Sequence, residues 1–315
     1  MQSERSLGSA PAPDARPVHG GKDTMTTPES PSQARAGADL SGRTLIMSGG
    51  SRGIGEAIAV KAARAGANIA LIAKTADPHP KLPGTIFTAA KAIEQAGGTA
   101  LPIVGDIRDD DQLDVAVART VEQFGGIDIV VNNASALDLT PSAEISMKRY
   151  DLMQDINARG AFSLSTKCVP HLRRSANPHI LTLSPPITIA PEWFKAVPTA
   201  YTISKFAMSL VTLGLASELD ADGIAANSLW PRTTIATAAV SNVLGENLVS
   251  RSRTVDIMAD AALSIISKPS SAATGQCFID EEVLAADGVT DFAAYQVDPT
   301  VAQRDLELDF WMRWP

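Results

Sequence analysis

Beyond residue 43 the chain alternates between short runs of adjacent apolar residues and longer stretches in which apolar positions recur every three or four residues. The short runs predict strands at Thr44–Met47, Asn68–Ala73, Ala100–Val104, Ile127–Val131, His179–Leu183, Ala225–Leu229 and Gln276–Ile279. The helical spacing predicts helices over Gly55–Ala65, Thr85–Ala96, Asp109–Phe124, Met147–Arg174, Ala200–Ala221 and Val255–Ser267. Strand followed by helix, repeated, is the pattern of βαβ units and a parallel sheet. Runs such as "IDIVV" (Ile127–Val131) are apolar on both faces, as a strand covered on both sides requires. The predicted fold class is therefore α/β, a doubly wound parallel sheet in a single domain over residues 40–290.

The first 39 residues break this pattern. They are rich in Pro, Ala, Ser and Gly, carry no apolar period, and are expected to be a disordered extension. The same stretch has neither the apolar core of a secretory signal nor the acid-poor composition of a transit peptide, and Met25 is an alternative start. At the other end, residues 291–315 form a tail whose last six residues hold two tryptophans and a phenylalanine, expected to pack on something, with a neighbouring subunit one candidate.

Composition narrows the function classes. A net charge of −8 argues against nucleic acid or an anionic membrane as partner. No apolar run reaches the ~18 residues of a membrane span. Cys168 and Cys277 stand far apart and outside any metal or redox spacing, so a reducing, cytoplasmic setting without a disulfide framework is expected. The acidic run "RDDDQLD" suits a helix cap and first turn better than a metal site, and no metal is expected.

Candidate chemistry begins in the first strand–helix turn, "LIMSGGSRGIGEAIAVKAARAG". Gly49, Gly53 and Gly55, with Ser51, Arg52 and Ile54 between them, sit where a tight turn lets backbone approach a pyrophosphate at a helix N-terminus. The spacing is GxxxGxG. At the end of the second strand stands Lys74, with no carboxylate before Asp77 to bond a ribose 2′-hydroxyl. Lys74 and Arg52 attract a 2′-phosphate instead, which points to NADP(H). Lys81 lies in a Pro-rich loop close by.

A second constellation is Tyr201-x-x-x-Lys205, one helical turn apart. A phenol is a proton donor whose ordinary pKa near 10 makes it a poor base, and a nearby cation favours the phenolate. With the glycine turn, "NNAS" at Asn132–Ser135, and Asn157 in "DINARG", the chain resembles the short-chain dehydrogenase/reductase family over roughly Leu40 to Asp287. Several phrases, "AKTADPHPKLPGTIFTAA", "RSANPHILTLSPP" and "LWPRTTIATAAV", are similar to a narrower subgroup. Its longer members carry a C-terminal sterol-carrier domain, which is not expected in this chain.

The resemblance implies a strand order of 3-2-1-4-5-6-7 and a cofactor across the carboxyl ends of the strands. It implies Asp106 and Ile107 beside adenine, Asn132, Asn133 and Ala134 along its ribose, and Pro231, Thr233, Ile235 and Thr237 in a loop over the nicotinamide. Tyr201 would be the acid/base, Lys205 its cation and a ribose contact, and Asn157 the seat of a relay water. Arg232 stands where that loop usually has glycine. The usual catalytic serine is also displaced. Counting back from Tyr201 arrives at Thr188, whereas the strand register of "ILTLSPP" arrives at Pro185, with Ser184 just before it. Strand register is stiffer than loop length, and proline offers neither hydroxyl nor N–H. Ser184 is then either a strand-end residue facing away or a recruited donor, with Thr188 the other candidate.

The expected function is oxidoreduction between an alcohol and a carbonyl. Ile187, Ile189, Trp193, Phe194 and Trp230 suggest an apolar, lipid-, terpenoid- or steroid-like substrate. The competing reading is an NADP(H)-binding sensor or scaffold with little turnover. The resemblance also implies a homodimer or homotetramer through the helices Met147–Arg174 and Ala200–Ala221.

Overall fold

A computed structural model describes residues 38–79, 82–238, 240–241 and 245–313. The expected disordered extension, except for Ala38 and Asp39, and Lys81 and Trp314 lie outside the described residues. Seven parallel strands form one sheet in the order β3-β2-β1-β4-β5-β6-β7. They are β1 Thr44–Ser48, β2 Asn68–Ala73, β3 Thr99–Val104, β4 Ile129–Asn132, β5 His179–Thr182, β6 Ala225–Trp230 and β7 Cys277–Ile279. The chain starts in the middle, steps outward through β2 and β3, then returns past β1 to β4. That reversal opens a crevice at the carboxyl ends of β1 and β4, where ligands of such sheets bind.

Side-chain alternation splits the core into two layers. Leu45, Met47, Ile69, Leu71, Val131 and Leu181 face one side. There they meet α1 (Gly53–Arg64), α2 (Ile86–Gln95), α8 (Asp256–Ser267) and α9 (Asp280–Ala286). Ile46, Ala70, Ile72, Val130 and Ile180 face the other side. They meet α3 (Asp110–Phe124), α5 (Gly160–Leu172) and α7 (Thr199–Glu218). Every residue of β1, β4, β5 and β6 is buried, as their continuous apolar runs foretold. No helix among the described residues is long and apolar enough to cross a membrane.

Three features depart from the sequence expectation. The helix read over Met147–Arg174 is α4 (Met147–Gln154) and α5 joined by a π-helical turn at Asp155–Arg159. Single π turns frequently mark functional positions, and here one falls on Asn157. A short helix, α6 (Pro191–Ala196), fills the long connection after β5. The tail, read from sequence as packing on something, a neighbouring subunit being one candidate, packs against its own chain through Trp311 and Met312.

Candidate active site

The phosphate turn is shaped by what its glycines exclude. Gly49 has φ 76°, and a Cβ there would lie 2.7 Å from Ala134 Cα. A Cβ on Gly55 would lie 2.4 Å from Asn133 Nδ2, so the side-chain amide of Asn133 occupies that space. Asn133 Nδ2 donates to Ser48 O at 3.2 Å and to Gly49 O at 2.7 Å, tying the end of β4 to the turn. Ala134 N donates to Ser48 Oγ at 3.2 Å. Asn132, fully within β4, bonds Ser165 and Thr182 and serves the scaffold. The N-terminus of α1 has no side-chain cap, so no capping side chain occupies its first-turn amides. At Gly53, with φ 60°, an added Cβ would meet, among the described residues, the Thr237 side chain at 3.5 Å. Uncapped amides over a glycine turn fit a pyrophosphate.

Two cations border this turn. Arg52 Nε and Nη2 donate to the carbonyls of Pro83 and Gly84 at 2.9 and 2.8 Å. Lys74 Nζ lies 3.0 Å from Asp106 Oδ2 and is 60% exposed. Arg108 Nη2 reaches the same carboxylate oxygen at 2.6 Å. Hydrogen bonding from Arg108, reinforced by Lys74, holds Asp106 far below the ordinary carboxylate range. Ile107 is buried beside Gly160, whose missing Cβ makes room for it.

Asn157 is fully buried. Its Oδ1 accepts from Ala136 N at 2.7 Å, and its Nδ2 donates to Ala136 O at 3.0 Å and Ser204 Oγ at 2.9 Å. Ser204 Oγ in turn donates to Tyr201 O at 2.8 Å. The π turn, the loop after β4 and the N-terminal half of α7 are thus locked into one unit. The sequence-predicted Asn157, Tyr201 and Lys205 are all carried by these elements, with Asn157 tied to the loop after β4 and Lys205 to the carbonyl just past β5.

Lys205 is 2% exposed and donates from Nζ to Leu183 O at 2.6 Å and Met208 Sδ at 3.3 Å. Its ammonium lies 4.9 Å from the centre of the Trp230 ring. Burial pulls Lys205 down to about 7, with Asp309 opposing. Tyr201 is 6% exposed, and burial, with Asp309 adding to it, pushes its phenol well above 10. The sequence argument has Lys205 lowering that value; in this conformation burial, with Asp309, raises it, and Tyr201 is held as a neutral phenol.

The cover over Tyr201 is the tail. Trp311 stacks on its ring at 5.9 Å and 24°, and Phe310 meets it edge-on at 6.1 Å. Trp311 also touches Phe206 and Trp230. Asp309 brings a half-buried carboxyl beside this centre, raised to about 7 by burial. Sequence reading missed Asp309 and Trp311 as site residues. The clustered aromatics signalled packing but not its target.

At the serine position, Pro185 is buried and its carbonyl accepts from Ser209 Oγ at 2.5 Å. Ser184 is fully buried, and its Oγ has no partner among the described residues. Thr188 lines a cleft of about 490 Å³ with Pro186, Trp193, Arg232, Ile279 and Trp311. In the loop after β6, Pro231, Thr233 and Ile235 are all buried. Thr233 pairs with Leu308 of the tail in an antiparallel bridge. Arg232, where glycine was expected, donates its backbone N–H to Asp280 Oδ1 at 2.9 Å and its Nη1 to Arg313 O at 2.8 Å. Its Nη2 also bonds Glu282.

The family profile described as short chain dehydrogenase matches residues 43–247. Hydroxysteroid dehydrogenase-like protein 2 of Danio rerio is 54% identical over 260 residues, covering 82% of this chain and 62% of that protein. The Homo sapiens protein of that name is 49% identical over 273 residues, 87% of this chain and 64% of its own length. The chain thus spans a little under two thirds of these relatives. A crystal structure of a short chain dehydrogenase from Mycobacterium thermoresistibile is 55% identical with a TM-score of 0.82, covering 87% of this chain and 96% of that one. A dehydrogenase from Xanthomonas campestris is 51% identical with a TM-score of 0.84, covering 88% and 100%. On the strength of these matches the chain belongs to the short-chain dehydrogenase/reductase family, which works with a nicotinamide cofactor.

Proposed function

We propose that the chain is an NADP(H)-dependent oxidoreductase interconverting an alcohol and a carbonyl on an apolar, lipid-, terpenoid- or steroid-like substrate. The observation that carries the reading is that the Tyr201 carbonyl is hydrogen-bonded through Ser204 to Asn157, while Lys205, one turn along α7, is held by the Leu183 carbonyl just past β5. The dinucleotide, when bound, supplies or accepts the hydride. Tyr201 Oη donates a proton to the substrate oxygen in the reducing direction and takes one from the alcohol in the other. Lys205 steadies the phenolate formed as that proton leaves. Gly49, Ser51, Gly53, Ile54 and Gly55 hold the pyrophosphate. Asp106, Ile107, Asn133 and Ala134 flank the adenosine, and Pro231, Thr233 and Ile235 the nicotinamide. Ser184 is the hydroxyl assigned to the substrate oxygen.

Arg52 and Lys74 support the choice of NADP(H), because they bring two cations to the border of the phosphate turn. Their joint replacement, Arg52→Ala with Lys74→Ala, should weaken NADPH binding on the order of tenfold or more and leave NADH unchanged. A parent protein that binds NADH more tightly overturns the cofactor choice. Cytoplasmic placement and a homodimer or homotetramer belong to the same proposal. Phe162 on α5 and Ile203 and Leu210 on α7 support the oligomer, being 50%, 44% and 60% exposed.

The deciding experiment follows NADPH oxidation and NADP⁺ reduction against medium-chain, terpenoid and steroid carbonyls and alcohols, with Tyr201→Phe as control. Turnover lost in that variant supports the oxidoreductase. The sensor or scaffold reading is favoured by one observation, proline at the serine position in a site whose Tyr201 is covered. NADPH binding without turnover on any substrate would decide for it.

A further inference from the structure

The tail crosses the site as a strap held at both ends. Glu307 N donates to Arg251 O at 2.9 Å, and Thr234 N to Glu307 O at 2.9 Å. Asp309 N donates to Arg232 O at 3.1 Å, and Trp230 Nε1 to Phe310 O at 3.1 Å. Beyond the site, Arg232 grips Arg313 O, and the Arg313 guanidinium pairs with Glu192 and lies over the Trp193 ring. Between these anchors the side chain pressed on Tyr201 is Trp311, itself 3% exposed.

Three details distinguish Trp311 from an ordinary core residue. Among the described residues it is the one non-glycine in the left-handed region, at φ 63°, a conformation that disfavours a bulky side chain. Its Nε1 is buried without a partner, so the ring is seated by shape and stacking rather than by a polar bond. It also forms, with Met312, one wall of the cleft bounded by Pro186, Thr188 and Trp193. A carbonyl that receives a proton from Tyr201 must bring its oxygen to that phenol, and the indole stands over it.

Resting on the oxidoreductase reading, we propose that the strap is a built-in competitor for the substrate. Trp311 fills the seat of the substrate's apolar body on Tyr201, that seat takes a flat fused-ring group, and turnover requires the strap to lift. Arg232, the residue that departs from the family's glycine, is the latch. The cleft beside the strap is the route by which a ring reaches the seat.

The test uses Trp311→Gly, which removes the ring and relaxes the backbone, and Arg232→Ala, which keeps the ring and loosens the latch. Indole should bind Trp311→Gly by calorimetry and not the parent. The Tyr201 phenol, read by ultraviolet titration against a Tyr201→Phe background, should ionise at lower pH in both variants. Both variants should convert fused-ring carbonyls with a lower KM than the parent, and added indole should compete in Trp311→Gly. If indole fails to bind, the phenol titration does not move and both variants turn over with a raised KM at unchanged NADPH affinity, Trp311 is a wall of the pocket and the proposal falls. Indole binding with the titration shift, but no turnover in any protein, keeps the seat and overturns the oxidoreductase reading instead. Arg232→Ala guards against misreading a Trp311→Gly protein that fails to fold.

Discussion

Ser184, next to the carbonyl that holds Lys205, and Asp309, whose charge acts on both Tyr201 and Lys205, invite opposite experiments. The Ser184 hydroxyl is buried and unpartnered, and an orphan of that kind typically costs about 1–3 kcal/mol. Ser184→Ala should therefore keep or raise the melting temperature. If the hydroxyl polarises the substrate oxygen, the same variant loses rate by roughly two to three orders of magnitude, as loss of one oxyanion donor does. Thr188→Val, on the cleft, takes the loss instead if it is the donor. A rate unchanged in both variants would mean that Tyr201 works without a hydroxyl partner. Asp309 is raised from 3.8 to about 7, first by burial, with Asp280 adding to the rise and Lys205 opposing it. Across that window the folded chain keeps a proton that the unfolded chain gives up. Its contribution to stability is thus complete below the unfolded value and is lost as pH climbs through 7. Melting temperature measured against pH should fall less steeply over this range in Asp309→Asn than in the parent.

Among the elements, the phosphate turn is the least tolerant. A methyl at residue 55 would overlap the Asn133 amide that braces Gly49 O, so Gly55→Ala should destabilise by about 1–3 kcal/mol. It should also weaken dinucleotide binding, both read by thermal melts with and without NADPH. That turn was legible in the sequence because glycine spacing between a strand and a helix encodes backbone geometry directly. The π turn at Asp155–Arg159 was not. Its periodicity differs from an α-helix by a single residue, and what holds it, the Asn157 side chain on Ala136 and Ser204, is a tertiary contact. The serine position was legible only as an absence. "SPP" announces that a donor is missing, but which hydroxyl is buried and which lines the cleft depends on how the Pro185–Pro198 connection folds.

At the scale of the molecule, the strand order followed from the family resemblance, and the layers from alternating apolar runs, both local signals repeated many times. The route of the last third did not, because it is set by a few buried charges. Arg253 is fully buried, pairs with Glu281 at 2.9 Å and lies over the Phe292 ring. Its backbone bonds Thr234 O, which carries the loop after β6. It therefore joins that loop, the start of α9 and the segment leading to the strap. Arg253→Met should cost roughly 3–5 kcal/mol, as removal of one partner from a buried pair does. It should also release the strap, seen as faster proteolytic cleavage near residue 305 than in the parent. The sequence offered no sign of this, since an arginine in "SRSRTVD" reads as a solvated loop cation.

The aromatic stack under the strap has an optical consequence. The Trp230 and Trp311 rings lie 5.7 Å apart at 52°, close and skewed enough for their transitions to couple. Such a pair adds a signed aromatic contribution to the circular dichroism, whose size depends on the spacing and tilt of the two indoles. A strap that rises by a few ångströms erases that contribution while the backbone signal of sheet and helices stays constant. Seating and release can then be timed in a stopped-flow mixer on the unlabelled protein, without a substrate and without a dye.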